Sequence, residues 1–297
     1  MKLKKATILI FSALAFLTFF SGIIRDDVKE EKYLKLARQK QFDCVGQVFK
    51  DTVPAGSCVL IGDRFVLSAA HVFIQNDYRL DTIVNNGITM IINKPINSRT
   101  GDITTYFFSF NGKRYQGKSL EIYPTSPDSL TNGKCDIAVI ELKEVVKFIS
   151  PARISNSFNE LHSNVVGVGF GSSGIASQPQ TVAFYNKKIA GENVIDSLAG
   201  FILDGKPTIL MCDFDHPTRK DCNKMGSSQP RPLEYISSGG DSGGGLFRQS
   251  KTGWELIGIT SGGGVNIEQL MKTGYYGQIM DFTRVSVFAN WISGQTK

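Results

Sequence analysis

Short apolar runs, broken every few residues by glycine, proline or polar clusters, recur along most of this chain. Few stretches hold a helical spacing for long. Residues 57–61, 65–68, 137–142, 164–168, 181–186 and 255–261 have strand length and are rich in branched or aromatic side chains. The 30 glycines supply the turns that many short strands require. The pattern predicts an all-β protein without internal repeats. One exception lies in 27–41, where Tyr33, Leu36 and Ala37 share a helical face among charges, predicting a short amphipathic helix packed on the β structure. A second lies at the N-terminus, where Lys2, Lys4 and Lys5 precede an uncharged run over 6–24. A basic segment followed by an apolar one is the pattern of a secretory signal. Its length also suits an uncleaved membrane anchor.

Composition narrows the class. At 297 residues, with 41% hydrophobic and 20% charged residues, the chain can build one large domain or two ordinary ones and is not disordered throughout. The net charge of +6 includes the three lysines of 1–22; without that segment the basic surplus is three. That is too small, and the pairs Lys187-Lys188 and Arg219-Lys220 too isolated, to point to nucleic acid. Gly167, Gly169 and Gly171 lack the βαβ context of a dinucleotide site, so no cofactor is expected. The five cysteines are Cys44, Cys58, Cys135, Cys212 and Cys222. None sits in a nucleophile motif. Cys212 and Cys222 enclose a polar loop and are expected to form a disulfide. No metal site is expected; His216 near these cysteines is only a faint candidate.

The chemistry concentrates in three segments. Gly239-Gly240-Asp241-Ser242-Gly243-Gly244-Gly245 sets one serine among residues with almost no side chains. Such a serine can be exposed, and neighbouring N–H groups can converge on one point, as acyl transfer requires. His71, in Ser68-Ala69-Ala70-His71-Val72, follows an apolar strand and is the one histidine of three in small-residue surroundings. Asp136 opens the apolar strand Ile137-Ala138-Val139-Ile140. A lone histidine or a strand-initiating aspartate is ordinarily structural. The order His, Asp, Ser gives the set its meaning.

With Leu67-Ser68-Ala69-Ala70-His71, Asp136-Ile137-Ala138-Val139 and Gly240-Asp241-Ser242-Gly243-Gly244, the chain resembles the chymotrypsin/trypsin-like serine proteases. Weaker echoes are Gly169-Phe170-Gly171, Gly258-Ile259-Thr260-Ser261-Gly262, Phe282-Thr283-Arg284-Val285 and Asn290-Trp291-Ile292. Together they span roughly 42–295. Tyr33-Leu34-Lys35-Leu36-Ala37 followed by Val45-Gly46-Gln47-Val48 is similar to some exported bacterial members. The resemblance implies two six-stranded antiparallel β-barrels with a short C-terminal helix. It divides the chain into a signal peptide or anchor (1–22), an N-terminal segment with the short helix (23–41), a first barrel (42–150) and a second barrel with the helix (151–297). The crossover falls near 148–161. The resemblance also implies a nucleophile at Ser242, a general base at His71, an orienting acid at Asp136, and oxyanion donors at the N–H groups of Gly240 and Ser242.

The family resemblance places the substrate pocket at Ile236, Ser261, Gly263 and Met280. With Ile236 at its base, a small or apolar residue before the scissile bond is expected, unless Glu234 supplies a charge. Family members switch on when a new apolar terminus reaches the aspartate beside the nucleophile, here Asp241. Signal cleavage exposing Ile23 or Ile24 is one way to supply it, and local donors to Asp241 are the other. In many family members a cysteine like Cys58 pairs with one directly after the histidine; here that neighbour is Val72, so this bridge is missing. The expected partner is a protein or peptide substrate. The expected location is secreted or periplasmic, or membrane-anchored facing outward. The alternative function is a catalytically silent homologue that binds a partner.

Overall fold

The computed structural model describes residues 22–85, 88–124, 135–176, 178–183, 187–262 and 275–297. The chain opens with strand β1 (Gly22–Ile24) and helix α1 (Glu30–Ala37). Next come β2 (Val45–Lys50), β3 (Val53–Leu60) and β4 (Phe65–Ser68), then a 3-10 turn, Ala70–Phe73. From this turn rise β5 (Ile74–Asn85) and β6 (Ile88–Thr100), which among the described residues pair with each other as a long ribbon. β7 (Tyr106–Phe110), β8 (Lys113–Ile122) and β9 (Ala138–Leu142) complete the first half.

The second half contains β10 (Asn164–Gly169), β11 (Ser173–Ile175), β12 (Gln178–Ala183), β13 (Ile189–Val194), β14 (Ser197–Leu203) and β15 (Lys206–Asp213). It ends with β16 (Tyr235–Ile236), β17 (Gly245–Ser250), β18 (Gly253–Gly262), β19 (Ile279–Arg284) and helix α2 (Val285–Gln295).

The all-β class follows from alternation of side chains across the strands. In β7 the sequence Tyr-Phe-Phe-Ser-Phe buries Tyr106, Phe108 and Phe110 and leaves the two intervening residues partly exposed. The strands β2-β3-β4-β9-β8-β7 close into a barrel, which removes sheet edges. The second half is a seven-stranded sheet ordered β13-β10-β17-β18-β19-β15-β14. Beside it lies a four-stranded sheet in which β1 is central, parallel to β11 and antiparallel to β16. The larger core runs through the barrel and reaches Val285, Phe288 and Ile292 of α2; a second core gathers Ile23, Ile236, Ile257, Met280 and Phe282.

Residues 143–163 lead from barrel to sheet. Ala152 N–H donates to Leu60 at 2.8 Å, Leu256 N–H donates to Arg153 at 2.8 Å, and Glu160 forms a two-pronged pair with Arg284, both fully buried. Helix α1 packs on the second half through buried Tyr33, whose hydroxyl donates to the Glu234 carbonyl at 3.0 Å, while Ala37 joins the barrel core. The strand expected over 181–186 is β12, placed earlier at Gln178–Ala183. Residues 184–186 and the apolar run up to residue 21 lie outside the described residues.

One cysteine expectation changes. The expected Cys212–Cys222 disulfide is absent, and all five cysteines carry free thiols. Cys212 is committed to the second core, opposite Met280 on the neighbouring strand, whereas Cys222 sits half-exposed in a separate 3-10 turn. The residue facing Val72 is Gly56 rather than Cys58: a methyl on Gly56 would lie 3.0 Å from Val72 Cγ2. Cys58 is buried in the barrel, and burial holds its thiol well above its ordinary pKa.

Candidate active site

His71 and Asp136 are placed by adjoining strands. β4 runs into the 3-10 turn that carries His71, and Ser68 at its end pairs with Ala138 at the start of β9. Asp136 therefore meets His71 from the side. Its Oδ1 accepts the His71 backbone N–H at 2.8 Å, and its Oδ2 lies 2.6 Å from His71 Nδ1. The Asp136 side chain is 6% exposed and the imidazole 45%, so the acid is enclosed and the ring reaches solvent.

Two residues of the second half complete the acid's shell. Ser261 Oγ donates to Asp136 Oδ2 at 2.7 Å, and Thr283 Oγ1 donates to the Asp136 carbonyl at 3.0 Å. Burial pushes the Asp136 carboxyl up, but the His71 charge, the hydrogen bonds from His71 and that from Ser261 outweigh it and hold it below its ordinary value. Burial works to lower His71 in turn; the Asp136 charge and hydrogen bond prevail and raise it.

Ser242 enters from the second half on a loop pinned at many points. Ser242 C=O accepts the Ser57 N–H at 2.7 Å, and Gly243 N–H donates to Thr260 at 2.8 Å. Thr260 adjoins Ser261, whose hydroxyl reaches Asp136, so these bonds tie the Ser242 loop to the strand that contacts Asp136. Gly243 has φ +85°, and a methyl there would lie 2.1 Å from Ser68 Oγ, so only glycine fits. Gly240 has φ +92°, and its carbonyl accepts from Ser57 Oγ at 2.9 Å. Among the described residues the N–H groups of Gly240 and Ser242 donate to no protein acceptor, and both residues are partly exposed. Ser242 Oγ and His71 make no direct hydrogen bond there either. Catalytic hydrogen bonds commonly tighten only with substrate bound.

Asp241 points inward and is 1% exposed. It accepts Gly171 N–H at 2.8 Å, the Tyr235 hydroxyl at 2.8 Å and Ser238 N–H at 3.0 Å. Ile23, fully buried in β1, pairs with Gly174 on one side and Ile236 on the other. Ile236 and Met280 lie buried in the same apolar core as Ile23. Gly263 lies outside the described residues. Ser261, expected as cleft lining, donates its hydroxyl to Asp136. Thr283 and Ser57 carried no sequence signal beyond being hydroxyl residues near the motifs.

Glu234 is 1% exposed and lies with Asp196, Asp213 and Asp215 at the base of 214–235. Burial and the neighbouring acids push Glu234 up to about 9, Asp196 to about 7 and Asp215 to about 6.

A sequence model of the trypsin family matches residues 35–292. This chain belongs to the trypsin family. It is similar to human transmembrane protease serine 11B, at 28% identity over 252 residues that cover 80% of this chain and 48% of the relative. The chain thus spans about half the length of that relative. Among solved structures, neuropsin, described as a serine protease expressed in the limbic system of mouse brain, matches with a TM-score of 0.52 at 20% identity. The match covers 86% of this chain and 95% of neuropsin and establishes the shared fold. As a trypsin-family protein, the chain has a serine-protease relationship and a chymotrypsin-like fold. Among the described residues of this family member, no helix is long and apolar enough to cross a membrane.

Proposed function

We propose that this protein is an exported serine endopeptidase that cleaves protein or peptide substrates after a small or apolar residue. The observation that supports this is the close His71–Asp136 pair, together with a Ser242 loop bonded to Ser57 and Thr260 whose Gly240 and Ser242 N–H groups meet no protein acceptor among the described residues. His71 Nε2 takes the Ser242 proton as Oγ attacks the scissile carbonyl, and returns it to the leaving amine. Asp136 keeps the other ring nitrogen protonated and stabilises the imidazolium. The N–H groups of Gly240 and Ser242 receive the developing oxyanion. Removing one such donor ordinarily costs about 10²–10³ in turnover. Water then resolves the acyl-enzyme by the same proton transfers.

The apolar preference rests on Ile236 and Met280, which offer no charge to a buried cation. Glu234 does not alter this, because its raised pKa keeps it largely neutral near pH 7. For activation, β1 runs parallel to β11 with Gly22 opposite Ser173, two residues from the Gly171 N–H that binds Asp241. A terminus made by cleavage near Ile23 would therefore begin close to Asp241. Sequencing the N-terminus of the active protein tests this, and a mature start well beyond Ile24 would refute it.

The principal test is labelling of Ser242 by a fluorophosphonate, with peptide hydrolysis measured alongside. The wild type is expected to label once and Ser242→Ala not at all. Hydrolysis unchanged in Ser242→Ala would overturn the assignment. A folded wild type that neither labels nor hydrolyses would leave the partner-binding alternative.

A further inference from the structure

Ser57 lies on β3 of the closed barrel and is fully buried, yet each of its polar atoms meets the cleft machinery or its support. Its N–H donates to the Ser242 carbonyl at 2.7 Å. Its hydroxyl donates to the Gly240 carbonyl at 2.9 Å and accepts the Phe170 N–H at 2.9 Å. Its own carbonyl accepts from Ser68 Oγ at 2.8 Å, which anchors it to the strand leading to His71.

We infer that Ser57 is a positioning residue that sets the aim of the two oxyanion donors; this rests on the protease reading above. Gly240 sits at positive φ with no side chain, so nothing of its own restrains it. The peptide joining Gly240 to Asp241 is instead held at both edges. Its carbonyl accepts from Ser57 Oγ, and its N–H, that of Asp241, donates to Ser238 at 2.9 Å. The peptide joining Ser242 to Gly243 is held in the same way, by Ser57 N–H on the carbonyl and by Thr260 on the Gly243 N–H. One residue of the barrel thus grips both peptides that flank the donors. A side-chain hydroxyl is suited to this because it donates and accepts at once, here to Gly240 and from Phe170. Donors held before reaction need no reorganisation as charge develops, which is where such groups gain their effect.

The chemistry needs only the backbone of Ser57 for the grip on Ser242, so Ser57→Ala removes the grip on Gly240 and Phe170 alone. Ser57→Cys keeps the volume with a much weaker hydrogen bond, and Ser57→Thr restores the hydroxyl. The assay measures kcat and KM on a chromogenic peptide with an apolar residue before the scissile bond. It also measures inhibition by a matching peptidyl trifluoromethyl ketone, whose tetrahedral adduct carries an oxyanion. For Ser57→Ala and Ser57→Cys, kcat should fall about 10- to 100-fold, with KM within about twofold. Inhibition by the ketone should weaken in parallel, the fluorescence melt should stay close to that of the wild type, and Ser57→Thr should recover most of kcat. The inference is overturned if an alanine or cysteine variant keeps kcat within twofold of wild type. It is equally overturned if activity is lost only in step with folding, or if ketone affinity is unchanged while kcat falls. Fluorophosphonate labelling of the wild type separates the two levels. An unlabelled, inactive wild type defeats the protease reading itself, whereas a labelled wild type matched by Ser57→Ala defeats only the role of Ser57.

Discussion

Replacing Asp136 with asparagine exchanges one carboxylate oxygen for an NH₂ group and removes the charge with little change of shape, so its effect can be followed bond by bond. Asp136 Oδ1 accepts the His71 backbone N–H, while Oδ2 faces His71 Nδ1 and the Ser261 hydroxyl. Asparagine offers one oxygen and one NH₂ group. If the NH₂ replaced Oδ1, it would oppose the His71 backbone N–H, two donors facing each other in an enclosed site, which is costly. The favoured orientation puts the NH₂ in the place of Oδ2. Ser261 can rotate its hydroxyl to accept. His71 must then present an unprotonated Nδ1, which moves the ring proton to Nε2. That nitrogen can no longer take the proton of Ser242.

The expected cost is that of the wrong tautomer, about 10⁴ in turnover, equivalent to ~5.4 kcal/mol of barrier. A second signature separates this from simple damage. Asp136 raises the His71 pKa against the effect of burial. In the asparagine variant only burial remains, so the ring pKa should drop below its ordinary value. The acid limb of kcat/KM should then move to lower pH, although activity is small throughout. The assay is kcat/KM on a chromogenic apolar peptide from roughly pH 5 to 10, with thermal melting to verify folding. A well-folded Asp136→Asn variant within tenfold of wild type would refute the role given to Asp136, as would an acid limb that does not move.

Two further predictions concern stability. Glu234 has a folded pKa near 9, so between the ordinary carboxylate range and that value the native state holds a proton that the unfolded chain releases. Its contribution is fully present at low pH and is lost as the pH rises through about 9. The melting temperature of the wild type should decline across that window more steeply than that of Glu234→Gln; parallel curves would show that Glu234 does not carry the effect. Arg284→Met strands the fully buried Glu160, which retains only the Ser286 hydroxyl of its side-chain donors. Breaking a buried pair in this way costs about 3–5 kcal/mol, or roughly 6–20 °C in Tm for a chain of this size. The double variant Glu160→Gln/Arg284→Met should recover much of it, and a single-variant loss under about 2 °C would contradict the assignment.

The sequence makes some of this legible for a physical reason. His71, Asp136 and Ser242 stand at strand ends or among glycines, where local composition marks them as candidates before any fold is known. The short apolar runs that became β4, β9 and β10 are likewise local. What depends on strands meeting from distant parts of the chain leaves no such mark. Asp196, Asp213, Asp215 and Glu234 converge only because β15 and the 214–235 segment fold together, so their raised pKa values are invisible in the linear chain. The Cys212–Cys222 expectation failed on the same ground, since spacing along the chain does not say that Cys212 turns into a core. The ribbon β5–β6 escaped notice; among its described side chains, at 74–82 and 96–100, none is buried to impose a clean alternation.

The sharpest case is the cleft itself. Its candidate reactive residues come from motifs, but several bonds that join its halves come from plain hydroxyls: Ser57 to Gly240, Ser261 and Thr283 to Asp136. Each crosses from one half of the molecule to the other, and each fixes an orientation rather than supplying a reacting atom. A buried hydrogen bond of this kind adds about 0.5–1.5 kcal/mol to stability, so losing one need not unfold the protein. Misaiming a preorganised donor costs more in rate than that bond contributes to stability. A chain can therefore keep His71, Asp136 and Ser242 and still lose turnover through these hydroxyls. On the proposed mechanism, intact motifs alone would not secure full turnover, and variants at these hydroxyls would show it.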